Sequence, residues 1–385
     1  MKIIVNAIPT LEALTGVGQY THHLILSLAR LRRDTDWFYY YGFLARRYHP
    51  PPDGHAGPGA GLTLADRVLR ASPALKEGIH RLQQKVARYR HPSFDVYFEP
   101  NFIPLDEIRA DRCVATVHDF SFLHHPEWHP EERVRYFERH FHRNIRRADV
   151  VLVDSAFVKQ EALRHLALPQ ERIVVVPGGH DPGLFRPQRP EAVRAVSLKY
   201  DLRHPYFLYV GTVEPRKNLD RVLRVFERFA ARAGRPVRFV VCGTRGWSNR
   251  ALFREFERLE QMGLLRYLGH VPDADLPPLY SGALSLVYCS LYEGFGLPVV
   301  EAMASGCPVL CSGRSALPEV AGDAPLYVDP EDSDAILMGM ARLHEDGAAR
   351  ASMVERGLAR AAGLTWDASA RSVLERLTPS GGDSP

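Results

Sequence analysis

The chain has 385 residues, of which 45% are hydrophobic and 24% are charged, and its formal net charge is +4. Domains average about 150 residues, so this length predicts two or three of them, and the composition excludes disordered, collagen-like and fibrous proteins. A net charge this small does not indicate a nucleic-acid-binding protein.

Short apolar runs alternate with helical patterns along both halves of the chain. The runs in the first half cover residues 2–7, 96–99, 114–117, 150–153 and 173–176. Those in the second half cover residues 206–210, 237–242, 285–289, 308–311 and 325–328. Continuous apolar strands separated by helices are typical of parallel sheets that are buried on both faces. The sequence therefore predicts an α/β protein with two doubly wound domains.

A stretch rich in proline and glycine over residues 177–190 predicts the connection between these domains. The domains would then cover residues 1–180 and 190–365. Ligands of α/β proteins bind at the carboxyl ends of parallel strands, so we expect a ligand cleft where the two sheets face each other.

Two further patterns concern the surface of the protein. Residues 50–61 are rich in proline and glycine and predict a flexible loop, and residues 75–90 predict a basic amphipathic helix. Such a helix can pack on the sheet with its basic face in solvent, or attach to an anionic membrane surface. We favour the first alternative, both for this helix and for a second basic helix over residues 131–147.

The cysteines and the missing motifs narrow the class of protein. The five cysteines form no Cys-x-x-Cys pair, which is typical of a reduced compartment; they are Cys113, Cys242, Cys289, Cys307 and Cys311. We find no signal peptide and no stretch of ~20 apolar residues, and therefore expect a soluble, cytoplasmic protein. Hydrolase motifs and metal-ligand spacings are missing as well, so no bound metal is expected.

The most informative segment, EGFGLPVVEAMASG, begins at Glu293 and follows a predicted strand. Gly294 and Gly296 predict a tight turn, and Pro298 suits the first position of a helix. A strand, a glycine turn and a helix N-terminus together favour binding of a diphosphate. Carboxylates repel phosphate, so we expect Glu293, and Glu301 in the first helical turn, to accept hydrogen bonds from sugar and ribose hydroxyls. Alternatively, Glu301 only complements the helix dipole.

A second segment, GTVEPRKN, directly follows the strand over residues 206–210. It places Arg216 and Lys217 at the mouth of the second sheet. An arginine fork beside a lysine point charge is suited to a diphosphate, and would stabilise the charge that grows on a departing phosphate. The alternative is an ordinary solvated pair at a helix start.

Two segments of the first domain lie after or at the carboxyl ends of predicted strands, and we expect both at the same cleft. TGVGQY opens a helix, and its Gly16 and Gly18 allow close approach of the backbone to a ligand. VHDF ends the strand over residues 114–117 and places His118 and Asp119 where α/β active sites form.

These segments resemble the retaining glycosyltransferases of family 4, which have the GT-B fold. The signature is the pair Glu293 and Glu301, with seven residues between them. Similar segments cover nearly the whole chain: the glycines at 16 and 18, VHDF, Asp154 with Ser155, VVPGGHDPGLFRP, GTVEPRKN, LGHVPDADLPPLY and LPEVAGDAPLYVDP. The chain departs from the family at Gly178 and Gly179, where members more usually have Asn-Gly.

The resemblance implies a role for each catalytic candidate. Glu293 would hold hydroxyls of the donor sugar, and Glu301 would hold the ribose. Arg216 and Lys217 would hold the donor diphosphate, and His118 would line the donor sugar near its anomeric carbon. The first domain would bind the acceptor and the second the nucleotide-sugar.

Further positions follow from the same resemblance. The implied donor-binding residues besides Glu301 are Gly16, Gly18, Gly211, Thr212, Val271, Gly294, Phe295, Gly296 and Leu297. Val271 would lie beside the nucleobase, and Asp119 is a candidate on the acceptor side. Family members need no divalent metal, and their final helix, here residues 366–378, crosses back to the N-terminal domain.

The motifs are most similar to members that transfer mannose, or a related deoxyhexose such as rhamnose, from GDP-sugars in polysaccharide synthesis. UDP-sugars are the alternative donors. The acceptor would be a glycan or a lipid-linked glycan, and the basic helix over residues 75–90 could bring the enzyme to the cytoplasmic face of a membrane. A phosphorylase, a nucleotide-sugar epimerase and a non-catalytic nucleotide-sugar sensor are the remaining alternatives. The presence of both carboxylates, both cations and His118 argues against the sensor.

Overall fold

The fold is that of a computed structural model, which describes residues 1–11, 14–50, 93–247 and 250–378. The predicted basic helix over residues 75–90, and all but the first residue of the predicted loop over residues 50–61, lie outside the described residues. Two sheets organise the described part of the chain, one in each half.

The N-terminal sheet has the strand order β3-β2-β1-β4-β5-β6-β7. Its strands are β1 Lys2–Asn6, β2 Asp36–Tyr40, β3 Leu44–Ala45, β4 Phe94–Glu99, β5 Ala110–Val117, β6 Val150–Val153 and β7 Ile173–Val175. All neighbouring strands are parallel except β2 and β3. The prediction missed these two strands because DWFYY contains no aliphatic residue and β3 has only two residues.

Helices of the N-terminal half cover both faces of this sheet. They are α1 Gly16–Leu31, α2 Ser121–His124, α3 Glu131–Ile145 and α4 Ala156–His165, with short 3₁₀ helices at Ile8–Thr10, Pro126–Trp128 and Gln170–Arg172. Helix α3 buries Phe137, Phe141 and Ile145, which are spaced by four residues and share one face. Arg143 on its outer face pairs with Asp106. Helix α3 is therefore a packed helix with a solvated basic face, which is the alternative we favour.

The C-terminal sheet is entirely parallel among the described residues and has the order β10-β9-β8-β11-β12-β13. Its strands are β8 Tyr206–Val210, β9 Arg238–Cys242, β10 Leu265–Gly269, β11 Ser285–Tyr288, β12 Val309–Ser312 and β13 Leu326–Val328. The predicted runs match five of them to within one residue at each end, because these strands are apolar almost throughout.

The helices of the C-terminal half surround this sheet. They are α5 Pro190–Lys199, α6 Leu219–Ala230, α7 Arg250–Gln261, α8 Leu276–Gly282, α9 Leu297–Ala304, α10 Leu317–Ala321, α11 Ser333–Glu345, α12 Gly347–Ala361 and α13 Trp366–Leu377, with 3₁₀ helices at Pro215–Lys217 and Asp273–Asp275. None of the helices in the described ranges is long and apolar enough to cross a membrane. Four of the five cysteines are buried, as in an ordinary apolar core.

The last helix, α13, returns to the N-terminal half and packs against α1. Trp366, Ala370, Val373 and Leu377 lie on one face of α13 and belong to the same apolar core as β1 and α1. Thr365 caps the helix by accepting a hydrogen bond from the backbone N–H of Ala368. The chain therefore crosses between the halves twice, as the family resemblance implies.

The two halves also make direct contacts beside the cleft. Ser155 Oγ donates to the carbonyl of Gly294 at 2.8 Å. The Glu319 carboxylate of the C-terminal half accepts from the N–H groups of Ala156 and Phe157, at 2.6 and 2.9 Å. An acidic side chain thus caps the N-terminus of α4 across the interface, which stabilises this closed arrangement of the halves.

Candidate active site

The cleft between the halves contains two adjoining cavities at the carboxyl ends of the strands. Most predicted site residues line the central cavity: Gly16, His118, Asp119, Gly211, Thr212, Arg216, Lys217, Glu293, Gly294, Phe295, Gly296 and Leu297. The side cavity is lined by Val271 and Glu301, together with Gly16, Gly211, Thr212 and Leu297. The structure thus brings together every predicted site residue except Gly18.

Gly18 lies outside both cavities, so the structure does not bring it together with the other predicted donor-binding residues. It is a buried residue in the first turn of α1. A Cβ at this position would lie 3.0 Å from the Pro9 carbonyl oxygen and 3.0 Å from a methyl carbon of Leu14. The small residue is therefore needed for packing of α1 against the preceding segment, whereas a Cβ on Gly16 would meet only open space.

A buried cluster of charges forms the floor of the central cavity. Arg216 Nη1 donates to Glu293 Oε2 at 2.8 Å, and Lys217 Nζ donates to Glu293 Oε1 at 2.6 Å. Arg216 Nε lies 2.5 Å from Glu214 Oε1. Lys217 Nζ also donates to the Tyr288 hydroxyl at 2.8 Å. The prediction placed Glu293 only against hydroxyls, but in the structure Glu293 joins the two cations.

The electrostatic interactions in this cluster favour the charged forms of Glu293 and Arg216. Burial alone would raise the pKa of Glu293, but the charges of Arg216 and Lys217 outweigh it and lower this pKa to about 2. Burial and the neighbouring Arg216 lower the pKa of Lys217. Among the described residues, Arg216 Nη2 and one N–H of Lys217 have no partner. These N–H groups are suited to bind oxygens of an anionic ligand.

Local backbone geometry holds the two cations in place. Both cations belong to the 3₁₀ helix Pro215–Lys217, which precedes α6. Their side chains are largely buried, so they are not the ordinary solvated pair at a helix start that the sequence offered as an alternative. Asn218 then adopts a left-handed conformation with φ of 60°. Its amide donates to the carbonyls of Cys289 and Pro330, at 3.1 and 2.7 Å. This anchor fixes the direction in which Lys217 enters the cavity.

The glycine turn before α9 forms one wall of the central cavity. Gly296 is the N-cap of α9 and has φ of 98°, a conformation that favours glycine. A Cβ on Gly294 would lie 1.8 Å from the His118 carbonyl oxygen of the other half. The turn can therefore close against the N-terminal half only with glycine at position 294. The N–H of Leu297, the first residue of α9, is at the positive end of the helix dipole and suits an anion.

Glu301 lies in the second turn of α9, which corrects the prediction of the first turn. The helix begins at Leu297, one residue before Pro298, so Glu301 is its fifth residue. Glu301 Oε2 accepts from the Tyr280 hydroxyl at 3.0 Å, and burial raises the pKa of Glu301 to about 7. This position is too far along the helix to complement the dipole, and places the carboxyl group in the side cavity with Val271.

His118 is held by two acceptors. Its Nε2–H donates to the Pro100 carbonyl at 2.8 Å, and its Nδ1 lies 2.6 Å from Asp154 Oδ2. Burial opposes a charged imidazole, but Asp154 outweighs it and raises the pKa of His118. Both ring nitrogens therefore have partners, which fix the orientation of the imidazole in the cavity.

Several cavity residues were missed by the sequence prediction. Asp154 lines the central cavity, and its Oδ1 has no hydrogen-bond partner among the described residues. Glu214 is the second carboxylate beside Arg216. Gln19 and Asp273 lie at the side cavity, where Gln19 Nε2 donates to Asp273 Oδ1 at 3.4 Å. The motif GTVEPRKN contains Glu214 and could have identified it, but nothing in the sequence pairs Gln19 with a residue 254 positions away.

In the part of the chain that the structure describes, no three His, Cys, Asp or Glu side chains are grouped to hold a metal ion. Arg216 and Lys217 supply positive charge to the central cavity.

Two parallel-sheet halves and a charged cleft at their strand ends define the molecule as a two-domain α/β protein of the GT-B architecture. Residues 14–184 match the family model described as Glycosyltransferase Family 4, and residues 194–360 match the model described as Glycosyl transferases group 1. The chain is 37% identical to O-antigen chain mannosyltransferase B of Escherichia coli, over 95% of this chain and 97% of that protein. The chain therefore belongs to the glycosyltransferases of family 4.

Solved structures with low sequence identity share the fold. Sucrose-phosphate synthase from Thermosynechococcus elongatus superposes with a TM-score of 0.68 at 22% identity, covering 98% of each chain. HepE from Anabaena, in complex with UDP and glucose, superposes with a TM-score of 0.66 at 16% identity, covering 98% of this chain and 99% of that chain. Both comparisons support the GT-B fold, and the family membership makes the chain a glycosyltransferase.

Proposed function

We propose that the chain transfers mannose from GDP-mannose to a growing glycan in polysaccharide synthesis, with retention of the anomeric configuration. The observation that carries this proposal is the buried cluster of Glu293 with Arg216 and Lys217, beside a side cavity that contains Glu301. The mannosyltransferase activity named for the Escherichia coli relative supports mannose as the sugar.

The two cavities suit the parts of a nucleotide-sugar. The side cavity would hold the nucleoside, with the base beside Val271 and the ribose hydroxyls donating to Glu301. The diphosphate would lie in the central cavity, against the unpartnered N–H groups of Arg216 and Lys217. The sugar would then lie between the diphosphate and His118. This places the donor mainly on the C-terminal half and leaves the acceptor to the N-terminal half.

The cation cluster would stabilise the departing nucleotide. Negative charge grows on the phosphate oxygens as the bond to the sugar breaks, and buried cations fixed in advance need no reorganisation at that moment. Glu293 fixes them by bonding both at once. We further propose that Arg216 and Lys217 replace a divalent metal, so that transfer continues at an unchanged rate in excess EDTA.

Thermal unfolding with nucleoside diphosphates tests the donor assignment without an acceptor. A ligand at a hundred times its dissociation constant stabilises a protein by about 2.7 kcal/mol, which raises Tm by several degrees. We expect a shift with GDP that is larger than the shifts with UDP, ADP and dTDP. The shift should disappear in Arg216→Ala and persist in Arg224→Ala, whose arginine is exposed and pairs with Asp220. A selective shift with UDP would overturn the GDP assignment.

Glu301 should make donor binding depend on pH. Ribose hydroxyls donate more strongly to a carboxylate than to a carboxylic acid, and the pKa of Glu301 is about 7 in the free protein. We therefore expect the affinity for GDP-mannose to increase about tenfold between pH 6 and pH 8, as the ionised fraction rises. Calorimetric titrations at several pH values measure this dependence, which Glu301→Gln should abolish. Affinity that falls over the same range would contradict the ribose assignment.

We also propose that the enzyme acts in the cytoplasm, and that the basic segment over residues 75–90 can contact anionic lipid. Vesicles that contain anionic lipid should then bind the protein at low salt and release it at high salt. Binding that high salt does not reverse would contradict an electrostatic contact.

A further inference from the structure

One wall of the central cavity is not used by the donor assignment. Four residues, here called the outer wall, form it: Asp119, His129 and Arg133 from the N-terminal half and Trp247 from the C-terminal half. Trp247 Nε1–H donates to the Trp128 carbonyl at 2.5 Å and so crosses between the halves. The outer wall is therefore complete only when the two halves are closed.

Hydrogen bonds orient two members of the outer wall. Ser121 Oγ donates to Asp119 Oδ1 at 2.8 Å, so the Ser121 hydroxyl oxygen accepts the hydrogen bond from His129 Nε2–H, at 3.0 Å. Burial and the neighbouring Arg133 lower the pKa of His129, which keeps its ring neutral near pH 7. A neutral ring with its proton on Nε2 has a lone pair on Nδ1, and Nδ1 has no partner among the described residues. Such an atom accepts a hydrogen bond from a hydroxyl.

An aromatic ring and a cation complete the outer wall. The Arg133 guanidinium lies 5.9 Å from the ring centre of Trp247 and 5.6 Å from that of Phe137. Arg133 makes no ion pair within the described ranges, in contrast to Arg135 two residues later, which pairs with Glu131. Its N–H groups are therefore available to a ligand between the two halves.

We propose that the outer wall binds the terminal sugar of the acceptor glycan. A sugar ring has apolar C–H faces that pack on an aromatic ring, and hydroxyls that bond to carboxylate, imidazole and guanidinium groups. The outer wall offers each of these groups, and none of its four residues lines the side cavity. This inference rests on the proposed function and adds the acceptor subsite to it.

Saturation-transfer NMR on the full chain, with GDP present, measures the binding of an α-linked mannotriose. This measurement tests the sugar subsite separately from turnover. Trp247→Ala should weaken this binding about tenfold, the size of one aromatic contact, and Trp247→Phe should weaken it less. Arg133→Ala should weaken it as well, whereas Arg135→Ala on the same helix should leave it unchanged. The Tm shift with GDP should be retained in all four variants.

Two results would overturn the outer wall as a sugar subsite. One is a wild-type protein that does not bind mannotriose, and the other is binding that Trp247→Ala and Arg133→Ala leave unchanged. Failure of the proposed function would appear in a different measurement: the wild-type protein would release no GDP from GDP-mannose. In that case, loss of mannotriose binding in Trp247→Ala would still support a sugar subsite at this wall.

Discussion

Lys217→Ala should reduce the rate of glycosyl transfer by about a hundredfold or more. The lysine is a buried cation, 6% exposed, whose charge faces the proposed position of the departing phosphate. Removing one preorganised contact to a developing charge costs ~3–4 kcal/mol in the transition state. The rate constant for GDP release from GDP-mannose, with a glycan acceptor present, measures this loss. Full activity in Lys217→Ala would contradict the phosphate assignment.

Two further variants separate catalysis from folding. Lys217→Ala leaves Glu293 with Arg216 as its remaining ionic partner, so the variant should also unfold at a lower temperature. Adding Glu293→Gln removes the unbalanced charge, and the double variant should recover stability but not activity. Lys199→Ala is the matched control, because Lys199 is exposed and pairs with Asp275 away from the cation cluster. Its activity should equal that of the wild-type protein.

Gly294→Ala should lower kcat by about a hundredfold while leaving nucleotide binding intact. A Cβ at this position would lie 1.8 Å from the His118 carbonyl and 3.1 Å from Asp119 Cβ, so the two halves could not close fully. A displacement of about 1 Å between reacting groups can cost a hundredfold in rate. The proposed nucleotide contacts are mainly on the C-terminal half, so the Tm shift with GDP should persist.

The control for this prediction is Gly363→Ala, since a Cβ on Gly363 meets no atom within 4 Å. Its kcat should equal the wild-type value. If Gly294→Ala also kept full activity, the closed contact between Gly294 and His118 would not belong to the reactive state. If it lost the GDP shift as well, the defect would lie in the nucleotide site rather than in closure.

The fold could be predicted from the sequence largely because most of its parallel strands are mainly apolar. The five predicted runs of the C-terminal half coincide with strands of its sheet, since both faces of these strands are covered by helices. Strand β2, which lies between β1 and the edge strand β3, begins with an exposed Asp36 and a half-buried Trp37, so a search for continuous apolar runs misses it. Strand β5 begins four residues before the predicted run because Asp111 lies at its solvated end.

The residues of the site could be predicted from the sequence, but the hydrogen bonds and ion pairs that connect them could not. The motifs placed Arg216, Lys217 and Glu293 in one cleft, because strand ends and glycine turns have local sequence signals. That Glu293 bridges both cations depends on the packing of β8 against β11, which no local pattern encodes. For the same reason the Pro100 carbonyl beside His118 was missed, since 18 residues separate them in sequence.

We propose above that this cleft transfers mannose from GDP-mannose with retention of the anomeric configuration. The most direct measurement is proton NMR of the product formed from GDP-α-mannose and an α-linked mannooligosaccharide acceptor. We expect a new α-mannosyl linkage that does not form in Lys217→Ala and still forms in Lys199→Ala. A β-linked product, or transfer from a UDP-sugar with none from GDP-mannose, would contradict this proposal.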